Sequence, residues 1–585
     1  MLEIKDKFYL NGEPFQIISG SFHYFRTLPE YWRDRLEKLV NMGCNTVETY
    51  IPWNFHQPNK GEFLWQGRRS ICRFIETAQE LGLYMIIRPS PYICAEWEFG
   101  GLPAWLLADR NMRLRCCFKP YLDAVKDYYS ELMPRLAPYQ ADRGGNIILM
   151  QIENEYGYYG DDKAYLKFLC DTMRQLGITV PFVTSDGPWS EAVFKSGMTE
   201  GALPTGNFGS SAQWQFGQMK KLMGDNMPLM CMEFWNGWFD AWGEEHHTTP
   251  AEKAAQELDA LLSMGSVNLY MFEGGTSFGF MNGRNCGNKT ADVTSYDYDA
   301  PLTEDGRITE KYNSFKRVIS KYRSFEQIPL TTEIRRKTYG EIACSGRISL
   351  FSALEKLSAP LKSVYPLSME EAGQSYGYIL YRLHVSSDEA VSAINLENAA
   401  DRVLCFRNGK RLFTAEGDEL YNKFEPRDLP AGGVFDLLCE NIGRENFGTG
   451  LENQRKGIMG GVKLNDRRCY GYEIFRLPLD EKQIAALDFD ADSRKAELSE
   501  NAPAFYRFEF TAEDACDTFL DTEGFGRGCA FINGFNLGRF WEIGPQKRLY
   551  IPAPLIKRGI NTIVLFETEG KSSQTVFLSD SPRPG

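Results

Sequence analysis

Several features are missing from this chain, and each absence narrows what it can be. No stretch of about 18 apolar residues occurs, so no membrane-spanning helix is expected. The N-terminus, MLEIKDKFYLNGEPF, has no apolar core of signal-peptide length, which reads as a cytoplasmic protein. Positive charge is in deficit. Lys and Arg number 65 against 78 Asp and Glu, a net charge of −13, which argues against nucleic acid or an anionic membrane as partner. The 14 cysteines are single residues apart from Cys116–Cys117, and none forms C-x-x-C. Neither zinc nor a redox motif is indicated, and the thiols are expected to be reduced. His246–His247 finds no third ligand of matching spacing, so no metal is expected and the pair reads as a solvated lead-in to a helix. GGTSFGFMNG (274–283) lacks the Gly-Lys-Ser/Thr ending of a phosphate loop and is expected to be a mobile active-site loop. The sequon Asn288-Lys289-Thr290 reads as an ordinary loop.

What is present is length and aromatic surface. At 585 residues the chain holds about two to four domains, fewer if one is a barrel. Aromatic residues make up 14%, which suits sugar rings and equally suits large cores.

Through residue 325 the chain alternates between short apolar runs and amphipathic helices. Helical periodicity covers 29–43, 70–82, 121–137, 163–177 and 249–265, with strands following. Gly43, Gly82, Gly177 and Gly265 stand as C-terminal stops. Thr249 to Glu252 reads as a capping box, with Pro250 at the first helical position. Strands are expected near 16–21, 46–50, 84–88, 147–152, 181–185, 203–208, 228–233 and 267–272. The sixth is weak, because 187–227 lacks clear helical period. Eight such units predict an α/β TIM (β/α)8 barrel over 1–325. Beyond it the texture turns to short β-rich runs with turns such as Asn408-Gly409 and Asn533-Gly534. The expected division is a linker region with β segments at 326–370, a first all-β domain at 371–490 and a second at 491–585. Both are read as sandwiches of jelly-roll type.

The barrel's chemistry is expected at the carboxyl ends of its strands. IILMQIENEYG (147–157) ends an apolar run in Glu153 and Glu155, separated by Asn154. PLMCMEFWNGWFDAWG (228–243) ends its own run at Glu233, followed by Trp235, Trp238 and Trp242. Paired carboxylates across a pocket are the apparatus of glycoside hydrolysis. The alternative is that each Glu pairs with a barrel arginine such as Arg88.

TYIPWNFHQP (49–58), RPSPYICAEWEFGGLPAWLL (88–107), QIENEYG (151–157), EFWNGWFD (233–240) and TSYDYDAPLTEDG (294–306) resemble the signature segments of glycoside hydrolase family 35 β-galactosidases. GRENFG (443–448), GIMGGV (457–462) and INGFNLGRFW (532–541) continue the resemblance in order over nearly the whole chain. It implies a barrel with accessory β-domains, the second of galactose-binding type. It also implies a retaining mechanism, no cofactor, and exo-acting removal of terminal β-galactose from oligosaccharides or glycans. By position it implies Glu155 as acid/base and Glu233 as nucleophile. Asn154 would bond the sugar 2-OH. Tyr50, Glu96 and the backbone at Cys94 and Ala95 would hold hydroxyls, Tyr298 would flank the nucleophile, and Trp235 and Trp238 would line the site. Glu96 could instead pair with Arg88. Trp235 and the missing leader resemble the cytoplasmic bacterial members and their preference for β-1,3 linkages. A homodimer rests on family analogy alone. The rival functions are an exo-β-glucosaminidase, against which Asn154 argues, and a non-catalytic galactoside-binding protein, against which both glutamates argue. Glu153 alternates away from the chemistry and is expected to be structural. GFNLGRFW (534–541) is read as a packed hairpin in preference to a carbohydrate-binding edge.

Overall fold

The apolar runs of the first half close on themselves. A computed structural model of the chain describes residues 1–585 apart from 90, 288–289, 427–428, 490–500 and 584–585. Its barrel strands are β1 (Ile18–Phe22), β2 (Thr46–Tyr50), β3 (Tyr84–Arg88), β4 (Ile147–Gln151), β5 (Phe182–Asp186), β6 (Ala202–Asn207), β7 (Met230–Trp235) and β8 (Ser266–Glu273). They pair in parallel around a closed ring, β7-β8-β1-β2-β3-β4-β5-β6. Unbroken apolar strands of this kind need cover on both faces, which the outer helices and the barrel interior supply. A small N-terminal sheet packs Leu2 and Phe8 against Ile17, Ile86, Leu149 and Val183, and so closes one end of the ring. The strands' carboxyl ends open at the other.

Gly43, Gly82 and Gly177 adopt left-handed φ values of 104°, 73° and 95° at helix ends. Gly265 does not; it is required because a Cβ there would lie 2.5 Å from the Leu229 carbonyl oxygen. The Thr249–Glu252 capping box does not form. Pro250 caps the helix Ala251–Leu262, and the Thr249 N–H donates to Asp299 Oδ2 at 2.6 Å. The weak sixth strand forms as Ala202–Asn207 and lies between two helices, Glu191–Gly197, only seven residues long, and Ala212–Met223.

The 326–370 region is not only a linker. Gly340–Ser349 is an inner strand of the last domain, pairing with Ala504–Ala512 and Thr575–Ser579. That domain is an eight-stranded antiparallel sheet curled nearly into a barrel. The first β-domain is a sandwich of a six-stranded and a three-stranded sheet over one apolar core. The boundary expected between them, at 490–491, lies outside the described residues, as does Asn288-Lys289 of the sequon.

GGTSFGFMNG is a buried seam, not a free loop. Phe278 enters the core of the last domain and Phe280 the core shared with the first β-domain. Arg539 donates both to Asn282 Oδ1 and to the Asn441 carbonyl at 2.5 Å. GFNLGRFW forms a hairpin strand, Phe535–Trp541 against Arg527–Ile532, as expected. The first β-domain is locked to the barrel by Arg444, fully buried between Glu98 and Glu370. Removing the cation would leave two carboxylates buried and unpaired, a loss of about 3–5 kcal/mol. Arg444→Met should therefore lower the urea midpoint by a corresponding amount, and Arg444→Lys, which cannot fork to both carboxylates, should recover only part of it.

Candidate active site

Glu233 sits where β7 is irregular. Cys231 registers with Gly206 and Glu233 with Asn207, so β7 holds an extra residue against β6, and the same shift appears against β8. Such a bulge re-aims a side chain at a strand end. Here it brings the Glu233 carboxylate onto Arg88 of β3 and Tyr50 of β2. Arg88 Nη2 lies 2.6 Å from Glu233 Oε1, the Tyr50 hydroxyl 2.7 Å from the same oxygen, and Trp235 Nε1 3.1 Å from Oε2. All three partners are donors, which is the environment of an anion.

Asn154 is oriented by the same groups. Its Oδ1 faces Arg88 Nη2 at 2.5 Å, the Tyr50 hydroxyl at 2.9 Å and Gln151 Nε2 at 3.1 Å. With the oxygen so occupied, the amide NH2 is the group left for a ligand.

Glu155 is treated differently. Its residue is left-handed, with φ 45°, and its side chain receives one side-chain hydrogen bond, from Asn207 Nδ2 at 3.1 Å. The Ser185 hydroxyl donates to Asn207 Oδ1 and so sets which end of that amide faces Glu155. Burial, and then the charge of Glu233, push the Glu155 carboxyl well above its usual range. The two carboxyls are thus driven toward opposite charge states by their surroundings.

Glu153 faces away, as alternation requires. It forms a two-pronged pair with Arg115, at 3.0 and 2.9 Å, and accepts from Tyr165 at 2.9 Å. Its partner comes from a loop, not from a barrel strand.

Glu96 ends a run of three left-handed residues, Cys94, Ala95 and Glu96, with φ of 58°, 57° and 46°. Arg26 holds this turn by donating to the Ala95 carbonyl at 2.6 Å while lying 3.8 Å from the centre of the Tyr296 ring. Glu96 does not pair with Arg88; its Oε2 accepts from the Tyr296 hydroxyl at 2.5 Å. Burial raises it to about 7.

Glu155, Glu233, Tyr50, Cys94, Ala95, Glu96, Asn154, Trp235, Trp238 and Tyr298 all line one pocket of about 300 Å³. Sequence reasoning missed Tyr158, Trp189, Phe239, Tyr270, Asn285 and Phe447, which complete it, and Asn207 beneath Glu155. Asn207 ends the weakest strand, and Phe447 lies in another domain. The signal for Phe447 is its place in the GRENFG segment. His246 and His247 both bind Asp240, at 2.7 and 2.9 Å, so they are a structural clasp, and no metal-holding group of His, Cys, Asp and Glu occurs among the described residues.

A barrel with two differently poised carboxyls over a small aromatic pocket is a glycoside hydrolase architecture. The family model for glycosyl hydrolases family 35 matches residues 7–322, the β-galactosidase first all-beta domain matches 366–478, and the β-galactosidase galactose-binding domain matches 503–561. Similar proteins include β-galactosidase-1-like protein 2 of Homo sapiens, 38% identical over 99% of this chain and 91% of its own. β-Galactosidase 17 of Arabidopsis thaliana is 37% identical over 96% and 86%, and the β-galactosidase of Mus musculus 36% over 97% and 91%. The chain belongs to family 35 of the glycoside hydrolases, and its enzyme class is β-galactosidase.

A carboxyl whose folded pKa is raised costs stability once the pH climbs above the unfolded value of about 4.3. Glu155→Gln should therefore be more stable than the parent by about 1–3 kcal/mol near pH 8. The gain should vanish near pH 4, where both forms are uncharged. Urea titrations at the two pH values measure it, and equal midpoints at pH 8 would contradict the assigned environment.

Proposed function

We propose that the protein removes terminal non-reducing β-D-galactose with retention, by double displacement. The observation that carries this is the asymmetry of the two carboxyls: Glu233 is held by Arg88, Tyr50 and Trp235, whereas Glu155 has one amide and a raised pKa. In the first step a Glu233 oxygen bonds to the anomeric carbon. The glycosidic C–O bond breaks, and the Glu155 proton passes to the leaving oxygen. The galactosyl ester on Glu233 carries no charge, so the Coulombic cause of the high Glu155 pKa disappears and Glu155 becomes a base. In the second step Glu155 takes a proton from water as that water bonds to the anomeric carbon. The ester C–O bond breaks and returns the carboxylate. The Asn154 amide donates to the 2-OH, Tyr50, Glu96 and the 94–95 backbone hold the other hydroxyls, and Tyr298 flanks Glu233. A pocket of about 300 Å³ suits one terminal ring, which supports exo action.

The pocket mouth is where an aglycone would lie. Phe447, Tyr158, Trp189, Trp235 and Trp238 follow one another with ring centroids 5.8, 6.0, 5.9 and 5.7 Å apart. This arc offers stacking faces to an aglycone sugar, and the β-1,3 preference itself is carried by the family resemblance at Trp235. The reading as a cytoplasmic protein, like the bacterial members, has in its favour that all the cysteines, Cys44 to Cys529, are free. The homodimer is carried on family analogy, and sedimentation of the purified chain decides it.

Glu233→Gly should be inactive on aryl β-galactoside and regain turnover with azide, giving the α-azide. Glu155→Gly with azide should give the β-azide; the reverse pattern would exchange the two roles. No turnover of aryl β-galactoside by the folded parent, with turnover of aryl β-glucosaminide, would replace the substrate. Across β-1,3, β-1,4 and β-1,6 disaccharides, kcat/KM should be highest for β-1,3. Trp238→Ala should lower it about 10-fold, the loss of one stacking face worth about 1.4 kcal/mol.

A further inference from the structure

Ser185 of β5 and Asn207 of β6 stand behind Glu155. Both are fully buried, at 1% and 0% exposure, and neither lines the catalytic pocket. Ser185 holds Glu155 twice. Its carbonyl accepts the Glu155 N–H at 3.0 Å, which secures the left-handed residue, and its hydroxyl donates to Asn207 Oδ1. The amide is thereby turned so that Nδ2 donates to Glu155 Oε1 at 3.1 Å. The same strand end also reaches the other glutamate, because the Phe208 N–H donates to the Glu233 carbonyl at 3.0 Å. One buried strand end therefore ties the two catalytic residues together.

An amide N–H can only donate. With Nδ2 toward it, Oε1 of Glu155 is the accepting oxygen in both protonation states, and Oε2 is left to carry the proton. Donation to a carboxylate is stronger than donation to a neutral carboxyl, so Asn207 favours the ionised form.

Little else around Glu155 does so. Glu233 from β7 and Glu96 from the turn after β3 oppose its ionisation. Asp186 of β5 also faces it, its own carboxyl pushed well above the usual range by burial. Tyr92 and Cys94 after β3, Tyr158 after β4 and Tyr298 after β8 are kept neutral by burial. Arg88 of β3 favours the carboxylate but is bonded to Glu233 and Asn154. Among the described residues no other side chain donates a hydrogen bond to Glu155.

We infer, on the double-displacement reading, that Asn207 oriented by Ser185 is a positioning residue: it assigns the transferable proton of Glu155 to Oε2 and stabilises the carboxylate that the second step requires.

The two steps can be followed separately on the full chain. With phenyl β-galactoside, kcat/KM reports the first step, and its basic limb follows Glu155 in the free enzyme. Dinitrophenyl β-galactoside has a leaving group that needs no proton, so its kcat reports the second step, and the acidic limb follows Glu155 in the galactosyl-enzyme. In Asn207→Leu both limbs should move up by about one pH unit, because the carboxylate loses its donor. Ser185→Ala keeps the amide without the hydroxyl that orients it and should move both limbs the same way, less far. Thermal melts establish folding, and Ser185→Ala decides the matter where Asn207→Leu does not fold. Limbs that stay in place while the rates fall would make the pair a structural support. Limbs that move down would mean that the amide offers its oxygen to a protonated Glu155. Either result would overturn the inference. An inactive parent would overturn it together with double displacement, whereas an active parent with unmoved limbs in the variants overturns it alone.

Discussion

Arg88 is the interaction on which the rest of the site depends. It is fully buried at the end of β3, and one nitrogen, Nη2, serves both Glu233 and Asn154. An anion in a protein interior needs a cation or it takes up a proton. Because Arg88 is there, Glu233 can stay charged in an apolar, aromatic pocket, and because Glu233 is charged, Glu155 is pushed toward its protonated form. On the other side Arg88 Nε lies 3.8 Å from Glu48 of β2, whose carboxyl burial raises to about 7. The guanidinium therefore stands between a carboxylate that faces substrate and a carboxyl deeper in the barrel. Its strength is spent upward, on Glu233, where the contacts are shorter.

The backbone around the pocket is held in conformations that an isolated peptide avoids. Cys94, Ala95 and Glu96, then Glu153 and Glu155, then Tyr298 and Asp299 are all left-handed non-glycine residues. Each such residue costs of order 1–3 kcal/mol and persists only where its surroundings over-determine it. In all three places a buried cation does so through a carbonyl. Arg26 binds the Ala95 oxygen at 2.6 Å, Arg115 the Asn154 oxygen at 2.7 Å, and Lys311 both the Asn236 oxygen at 2.8 Å and the Asp299 oxygen at 2.5 Å. Lys311 thereby ties the turn after the Glu233 strand to the turn carrying Tyr298. The stability given up at the pocket is offset one layer behind it, in ion pairs such as Arg115–Glu153 that never meet substrate.

This division explains what could be read in advance. The barrel was legible because parallel strands buried on both faces leave continuous apolar runs, and because three of the helix ends carry left-handed glycines. Glu155 and Glu233 were legible because each ends a barrel strand's apolar run inside an aromatic-rich segment, and strand alternation separated Glu155 from Glu153, which sits at the same strand end but pairs with Arg115. What was not legible depends on contacts between distant segments. Nothing local in Gly340–Ser349 shows that it pairs with Ala504–Ala512, so it read as linker. Nothing local in GGTSFGFMNG shows that Phe278 and Phe280 each enter a different β-domain core, so glycine content alone suggested mobility. The Glu96–Arg88 pair was reasonable on charge, but Glu48 and Glu233 already occupy Arg88, and Glu96 turns to Tyr296.

The accessory domains follow from the same logic. A barrel mouth alone presents loops, and loops ordered only by themselves position side chains poorly. Here the seam 274–283 is packed between the barrel and both β-domains, and Asn285 just beyond it reaches the pocket. Asn446 Nδ2 donates to Asn285 Oδ1 at 2.7 Å, and its neighbour Phe447 is itself part of the wall. The first β-domain, anchored by Arg444 on Glu98, thus supplies one side of the mouth, while the barrel supplies the carboxyls. In that division of labour, changes in the β-domain can alter which aglycone is accepted without touching the Arg88–Glu233–Glu155 arrangement that performs the chemistry.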